Sequence, residues 1–340
     1  MQPPVGPPAL SVTGLTKRYG ARTAVDHLDI DLPAGVVAGF VGPNGAGKTT
    51  TMAMLLGLVR PTSGTGTVLG EPITRPAAYL HRVGALIESP AFYPSLSGAD
   101  NLRVLATVGG HDPTGIPELL DTVGLGGRGR DRYSSYSLGM KQRLGIAAAL
   151  LGDPELLILD EPANGLDPQG VREMRTLVAG LVGTGRTVLV SSHDLSELEQ
   201  VCDWLVLIDT GRSLYQGPTR ALLDDVAVAL TVDPEHARDR RRLSDVLVGA
   251  GHHVDLPDGG APVGGPLRVR ADGHDPAALA AAVNRAAFDA GVVLSQLTPV
   301  HTSLEDRYLA LVDGAPAHEH DHHGHDHDHD RRHDLTGGTR

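Results

Sequence analysis

The chain has 340 residues, 41% of them hydrophobic, 21% charged and 3% aromatic, with a formal net charge of −12; the length predicts two domains plus tails, and the acidic balance excludes a general nucleic-acid binder, whose affinity comes from a basic face. The longest unbroken apolar stretch, Leu144–Gly152, is about half of what a bilayer-spanning helix needs, and the start MQPPVGPPAL has neither the basic flank nor the apolar centre of a signal peptide. Cys202 is the single cysteine, which excludes an internal disulfide framework or a cysteine zinc cluster and points to a soluble protein of the reducing cytosol.

After the proline-rich start, LSVTGLTKRYG and AVDHLDIDLPAG read as strands, the second by its apolar–polar alternation, with Tyr19 in an edge strand. VVAGFVG is a short buried strand. A glycine-rich turn and the helical run KTTTMAMLLGLV follow, and the run stops at Arg60-Pro61. RVGALI is another strand, and from Pro90 to Leu151 the pattern is mostly helical, with turns at HDPTG and GLGGRGR. ELLILDEP is a continuous apolar strand ending in two carboxylates, and RTVLVSSHD is a further strand. Strands alternating with helices predict a mostly parallel α/β sheet.

The composition changes near Leu222. Beyond it the pattern gives a strand at 226–232, a helix to Val248, the strand HHVDL, a Gly/Pro loop, the strand PLRVRA, a helix and the strand VVLSQLT. Asp275 as N-cap and Pro276 at the first helical position mark the second helix. This βαββαβ order resembles a ferredoxin-like module. The short helix SLEDRYLALV closes the ordered part, and the tail after Gly314, with HEHDHHGHDHDHDRRHD, is of low complexity and expected to be disordered.

Only three of the 29 basic residues are lysines, Lys17, Lys48 and Lys141, which raises the question of what arginine could not do there. Lys48 answers it. Gly42, Pro43, Asn44, Gly45, Ala46, Gly47, Lys48 and Thr49 match G-x-x-x-x-G-K-[ST] between a buried strand and a helix. Small residues let backbone N–H groups wrap phosphate oxygens, and the helix N-terminus adds partial positive charge. A compact ammonium suits the space between β and γ phosphates, and the Thr49 hydroxyl suits Mg²⁺. Asp160 and Glu161 close an apolar strand; alone such a strand end is unremarkable, but with the phosphate loop upstream Asp160 becomes a Mg²⁺ ligand and Glu161 a base for the attacking water.

The decisive segment is Ser137-Leu138-Gly139-Met140-Lys141-Gln142-Arg143, which precedes the helical run LGIAAALL and the second carboxylate strand. With it the sequence resembles the ATP-binding subunit of an ABC transporter over nearly all of residues 9–220. The resemblance implies a P-loop NTPase domain at 9–222 with a helical subdomain at about 89–151; the composition and pattern beyond it set an accessory α+β domain at 224–313 and a tail at 314–340. It implies a Walker A site at Gly42–Thr49 extending to Thr50, Walker B at Asp160 with Glu161 catalytic, and a D-loop at Asn164, Gly165, Leu166 and Asp167. It also makes His193 the switch histidine, Tyr19 the aromatic stacking on adenine, and Ser137 to Met140 a signature that contacts the ATP of a second chain. Two chains would then sandwich two ATP with Mg²⁺, against a membrane-spanning permease encoded separately, at the cytoplasmic face of the membrane. Nucleic acid is not an expected partner.

Two positions depart from the family pattern. Tyr136 and Leu138 replace the usual leucine and first glycine of the signature, and Glu88 stands where the Q-loop glutamine is expected as a Mg²⁺ ligand. A glutamate brings a full negative charge beside the phosphates where glutamine offers a neutral carbonyl. Glu88 together with YSLGMKQR, and the C-terminal PVHTSLEDRYLALV, resembles the single-domain ATPases of antibiotic, lantibiotic and multidrug exporters. Phe92 and Tyr93 lie where that family receives its membrane subunit and read either as docking anchors or as satellite core packing. Residues 317–340 hold eight of the 17 histidines, interleaved with aspartates, a set with loose affinity for Zn²⁺, Ni²⁺ or Cu²⁺ and no unique ligand spacing. The alternatives are a metal exporter or metal-regulated ATPase, resting on that tail, and a soluble ABC-type ATPase acting on ribosomes or DNA, which the acidic charge and single cassette disfavour.

Overall fold

The computed structural model describes residues 6–87, 91–224, 229–255, 266–270, 275–300 and 304–314; Glu88, residues 226–228 of the strand expected beyond Leu222 and the histidine tail lie outside the described residues. The chain begins with β1 (Leu10–Tyr19) and β2 (Arg22–Leu32), then β3 (Val37–Val41) and α1 (Lys48–Leu55). β4 (Ser63–Val68), β5 (Glu71–Pro72) and β6 (Val83–Leu86) follow. Three helices, α2 (Gly98–Gly109), α3 (Ile116–Thr122) and α4 (Leu138–Ala149), separate β6 from β7 (Leu156–Leu159). Next come α5 (Pro168–Val182), β8 (Thr187–Ser192), α6 (Leu195–Glu199), β9 (Trp204–Asp209), β10 (Arg212–Pro218) and α7 (Thr219–Asp224). The last elements are β11 (Ala229–Pro234), α8 (Arg240–Gly249), β12 (Val254–Asp255), β13 (Leu267–Arg270), α9 (Pro276–Asp289), β14 (Leu294–Val300) and α10 (Leu304–Gly314).

Six strands in the order β10-β9-β3-β8-β7-β6 form the central sheet, parallel except for the antiparallel edge β10. Every residue of β3, β7 and β8 is buried, as expected of parallel strands covered on both faces. The alternation of side chains splits β7 between two cores: Leu157 and Leu159 face the helical side, Leu156 and Ile158 the side of α1 and the first hairpin. The carboxyl ends of β3, β7 and β8 consequently open on one crevice, the usual ligand position of such sheets.

Two expectations need correction, and two strands are new. The helix after the glycine-rich turn ends at Leu55, with Leu56 as its C-cap, and does not run on to Arg60. Beside the mostly parallel sheet, β2-β1-β4-β5 makes a second, antiparallel sheet whose β4 and β5 the sequence reading lacks. β4 reads SGTGTV, which looks like a loop, yet a Cβ on Gly66 would lie 2.4 Å from the Ser11 carbonyl, so the glycine is what lets β1 approach. And β1 is flanked by β2 and β4, so Tyr19 ends an interior strand.

Beyond Leu222 a third sheet, antiparallel in the order β12-β13-β11-β14, packs with α8 and α9 around Leu230, Val232, Leu243, Leu247, Val269 and Val283. The side chain of Asp275 accepts the Ala278 N–H at 3.2 Å and starts α9. α10 returns to α6 and α7, with Leu304 buried in the helical-side core.

β6 meets the end of α4 at Gly84, where a Cβ would stand 2.1 Å from the Ala149 carbonyl oxygen. Gly84→Ala is therefore expected to lower stability by about 1–3 kcal/mol, measured as a lower urea midpoint at unchanged m-value.

Candidate functional site

The phosphate-type loop is built by glycines that no other residue replaces. A Cβ on Gly42 would sit 2.3 Å from the Ile208 carbonyl, and one on Gly47, which has φ 102°, would sit 2.6 Å from the Ala24 carbonyl. Ala46 turns its methyl into the core while its N–H closes the turn onto the Pro43 carbonyl at 3.1 Å. α1 then starts at Lys48 with no side chain capping it, which leaves first-turn N–H groups, those of Lys48, Thr49 and Thr50 among them, for an anion.

Lys48 is 6% exposed. Its ammonium donates to the carbonyls of Gly42 at 2.7 Å and Pro43 at 3.4 Å, and stands 3.4 Å from Glu161 Oε1. The Thr49 hydroxyl donates to Asp160 Oδ2 at 2.8 Å, while Ser191 Oγ donates to Asp160 Oδ1 at 2.5 Å. Ser191 Oγ also accepts the Glu161 N–H at 2.9 Å, so one buried serine fixes both acidic residues. Glu161 has φ 49°, a left-handed conformation that costs a non-glycine residue about 1–3 kcal/mol, and its other oxygen, Oε2, lies 2.7 Å from His193 Nδ1.

Tyr19, Pro43, Asn44, Gly45, Gly47, Lys48, Thr49, Thr50, Glu161, Asn164 and His193 therefore line one cleft of about 590 Å³. Tyr19 is half exposed, and the Lys17 ammonium lies 4.9 Å from its ring centre while donating to the Arg60 carbonyl at 2.8 Å, which gives the second lysine a structural place. The signature is elsewhere. Ser137, Leu138 and Gly139 face Gly165, Leu166 and Asp167 across a second cleft of about 360 Å³. Ser137 Oγ accepts the Met140 N–H at 3.3 Å as N-cap of α4, Asp167 does the same for Gly170 at 2.8 Å in α5, and Met140 packs on the core. The D-loop thus spans both clefts, with Asn164 in the first and Gly165 to Asp167 in the second.

The departures in the signature have structural reasons. Leu138 Cδ2 is 3.1 Å from the position a Gly165 Cβ would take, so its side chain reaches the D-loop. Tyr136 is buried and its hydroxyl donates to the Arg128 carbonyl at 2.8 Å. The aromatic pair divides between the two readings: Phe92 packs edge-on against Tyr133 at 5.1 Å, whereas Tyr93 is 61% exposed. The Lys141 ammonium lies 5.3 Å from the Tyr133 ring centre. Sequence reasoning missed Ser191, whose signal is a hydroxyl at the end of the apolar run TVLV, and Arg22 and Ala24, which reach the cleft across a hairpin and carry no motif.

The donor set around Thr49 and Asp160 consists of hard oxygens, with the Asp160 carboxylate 8% exposed and aimed at the loop, and it fits Mg²⁺. The ABC transporter family model matches residues 25–164. The bacitracin transport ATP-binding protein BcrA of Bacillus licheniformis is 39% identical over 317 residues, covering 90% of this chain and 97% of its own length. This chain belongs to the ABC transporter ATP-binding proteins. The lantibiotic transport ATP-binding protein SrtF of Streptococcus pyogenes is 42% identical over 207 residues, 61% of this chain and 90% of that protein. A solved ATP-binding subunit of an ABC transporter superposes with a TM-score of 0.57 at 29% identity, covering 64% of this chain and 92% of that one. As an ABC ATP-binding protein the chain is an ATPase that uses ATP and Mg²⁺. No helix among the described residues is long and apolar enough to cross a membrane.

Behind the reactive end of this ABC ATPase, Glu197 on α6 has its carboxyl held above the usual range by burial and by the neighbouring Asp194 carboxylate. The folded state then holds this proton more tightly than the unfolded chain, so stability falls as pH rises through that window and the cost is fully present at neutral pH. Glu197→Gln should raise the melting temperature by about 1–2 °C at pH 7.5, and the gain should vanish below about pH 4, where the wild-type carboxyl is protonated in both states.

Proposed function

We propose that this chain is the ATP-hydrolysing subunit of an exporter of antibiotic peptides or related drugs, bound to a separate membrane-spanning permease at the cytoplasmic face of the membrane. The observation that carries the mechanism is the position of Glu161, one carboxylate oxygen on Lys48 and the other on His193. Phosphate arriving in the loop takes the ammonium of Lys48 for itself, which frees Oε1 to accept a proton from an attacking water. His193 keeps the carboxylate aimed through Oε2. Thr49 and Asp160 would hold Mg²⁺, whose chemistry is to neutralise charge on the transferring phosphoryl group; Glu88, next after the described Ile87, is its further proposed ligand. Tyr19 offers its half-exposed ring to the base.

Ser137 lines a different cleft from Lys48. That separation supports a homodimer or paired ATPase in which each chain's Ser137, Leu138 and Gly139 approach the partner's ATP. The export reading rests on relatives named for bacitracin and lantibiotic transport, the first of them aligned over nearly the whole chain. Those names favour neither a ribosome- or DNA-acting ATPase nor a metal exporter. Exposed Tyr93, beside half-buried Phe92, suits the permease contact. We assign residues 9–222 to the ATPase domain, 89–151 to its helical arm, and 224–313 to an accessory domain of ferredoxin-like topology, whose β12-β13-β11-β14 order supports the assignment.

In Glu161→Gln the rate of ATP hydrolysis should fall at least about 100-fold while MgATP still binds and shifts the chain to a dimer by light scattering. Full hydrolysis in this variant would refute the role of Glu161.

A further inference from the structure

One cation of the cleft belongs to none of the motifs. Arg22 opens β2 as the hairpin partner of Tyr19. The hairpin lies directly against the phosphate loop, since Ala24 leaves no room for a side chain on Gly47. Two residues earlier on the same strand, Arg22 Nη2 stands 3.9 Å from where a Gly45 Cβ would be, at the tip of that loop. The guanidinium lines the cleft together with Lys48, Thr49 and Glu161.

The charges around it are already matched. Lys48 faces Glu161, and Asp160 accepts from Thr49 and Ser191. Farther along β2, Asp26 holds Arg212 of β10 at 2.6 Å. Arg22 makes no hydrogen bond or ion pair among the described residues, so its five donors stay free on the wall of an anion cradle. A free guanidinium fork in contact with a loop that wraps phosphate matches the oxygen pairs of a polyphosphate. It supplies a second positive charge beside that of Lys48.

We propose that Arg22 is a nucleotide-binding residue whose guanidinium contacts the phosphates of the ATP held by the Gly42–Thr49 loop. The proposal rests on the reading of that loop as the ATP site, and it assigns the hairpin a phosphate contact in addition to the stacking surface of Tyr19. Because the contact is with charge, the contribution of Arg22 grows with the number of phosphates and weakens with salt.

The test is calorimetric titration of the full chain and of Arg22→Ala and Arg22→Lys with MgATP, MgADP and adenosine, at low and at moderate salt. Arg22→Ala should weaken MgATP about tenfold, MgADP by less, and adenosine by under about twofold, with a flatter salt dependence. Arg22→Lys should recover part of the loss. Unchanged MgATP affinity in Arg22→Ala overturns the proposal, and so does an equal loss for adenosine, which would put the guanidinium on the base. Intact binding with a loss confined to concentration-dependent hydrolysis would place Arg22 at the contact between two chains and overturn it as well. If the wild-type chain itself fails to bind MgATP, the reading of the loop fails and takes the proposal with it.

Discussion

A lysine ammonium at 6% exposure needs partners, and the site is arranged around that requirement. Two carbonyls of the glycine-rich loop and one oxygen of Glu161 surround Lys48 Nζ. The pair joins the loop to the end of β7. It is also replaceable, because phosphate oxygens offer the ammonium a denser negative charge than one carboxylate oxygen at 3.4 Å. In the mechanism we propose, binding of nucleotide and release of the base are thereby one event: Glu161 becomes available when Lys48 finds another anion.

The rest of the architecture serves to put those two residues at one place. Lys48 comes from the start of α1 behind β3, and Glu161 from just beyond β7, with β8 between the two strands. β8 provides Ser191, which binds Asp160 and the Glu161 N–H, and His193, which holds Glu161 from the far side. Three buried strand ends thus determine the geometry, and the left-handed backbone of Glu161 is the strained element they enforce. The D-loop leads from this cleft to the signature cleft, where Leu138 touches Gly165 and Arg143 pairs with Glu173 at 2.5 Å. A change at Glu161 and a change at Ser137 are therefore separated by one short, packed segment.

Much of this was legible in the sequence where the physics is local. The glycines of the loop, the paired carboxylates at a strand end and the serine-glycine segment ahead of a helical run each declare themselves within a few residues. What depends on strands from distant parts of the chain did not. β4 hides behind SGTGTV because the reason for Gly66 is the Ser11 carbonyl on another strand. Arg22 has no motif because its neighbour Gly45 is reached across a hairpin, and Ser191 looks like an ordinary strand end until Asp160 is placed beside it. The unusual Tyr136 and Leu138 were visible as departures, but their reasons, a hydroxyl onto the Arg128 carbonyl and a contact with Gly165, are tertiary.

The central claim is that Glu161 competes with the nucleotide's phosphates for Lys48. The most direct measurement is the affinity for MgADP, which is not hydrolysed, in the full wild-type chain and in the Glu161→Gln chain by calorimetry at one salt concentration. Removing the competing charge should tighten MgADP binding about three- to tenfold, the worth of a partly exposed ion pair. Equal or weaker binding in Glu161→Gln would contradict the exchange and leave Lys48 and Glu161 as independent neighbours.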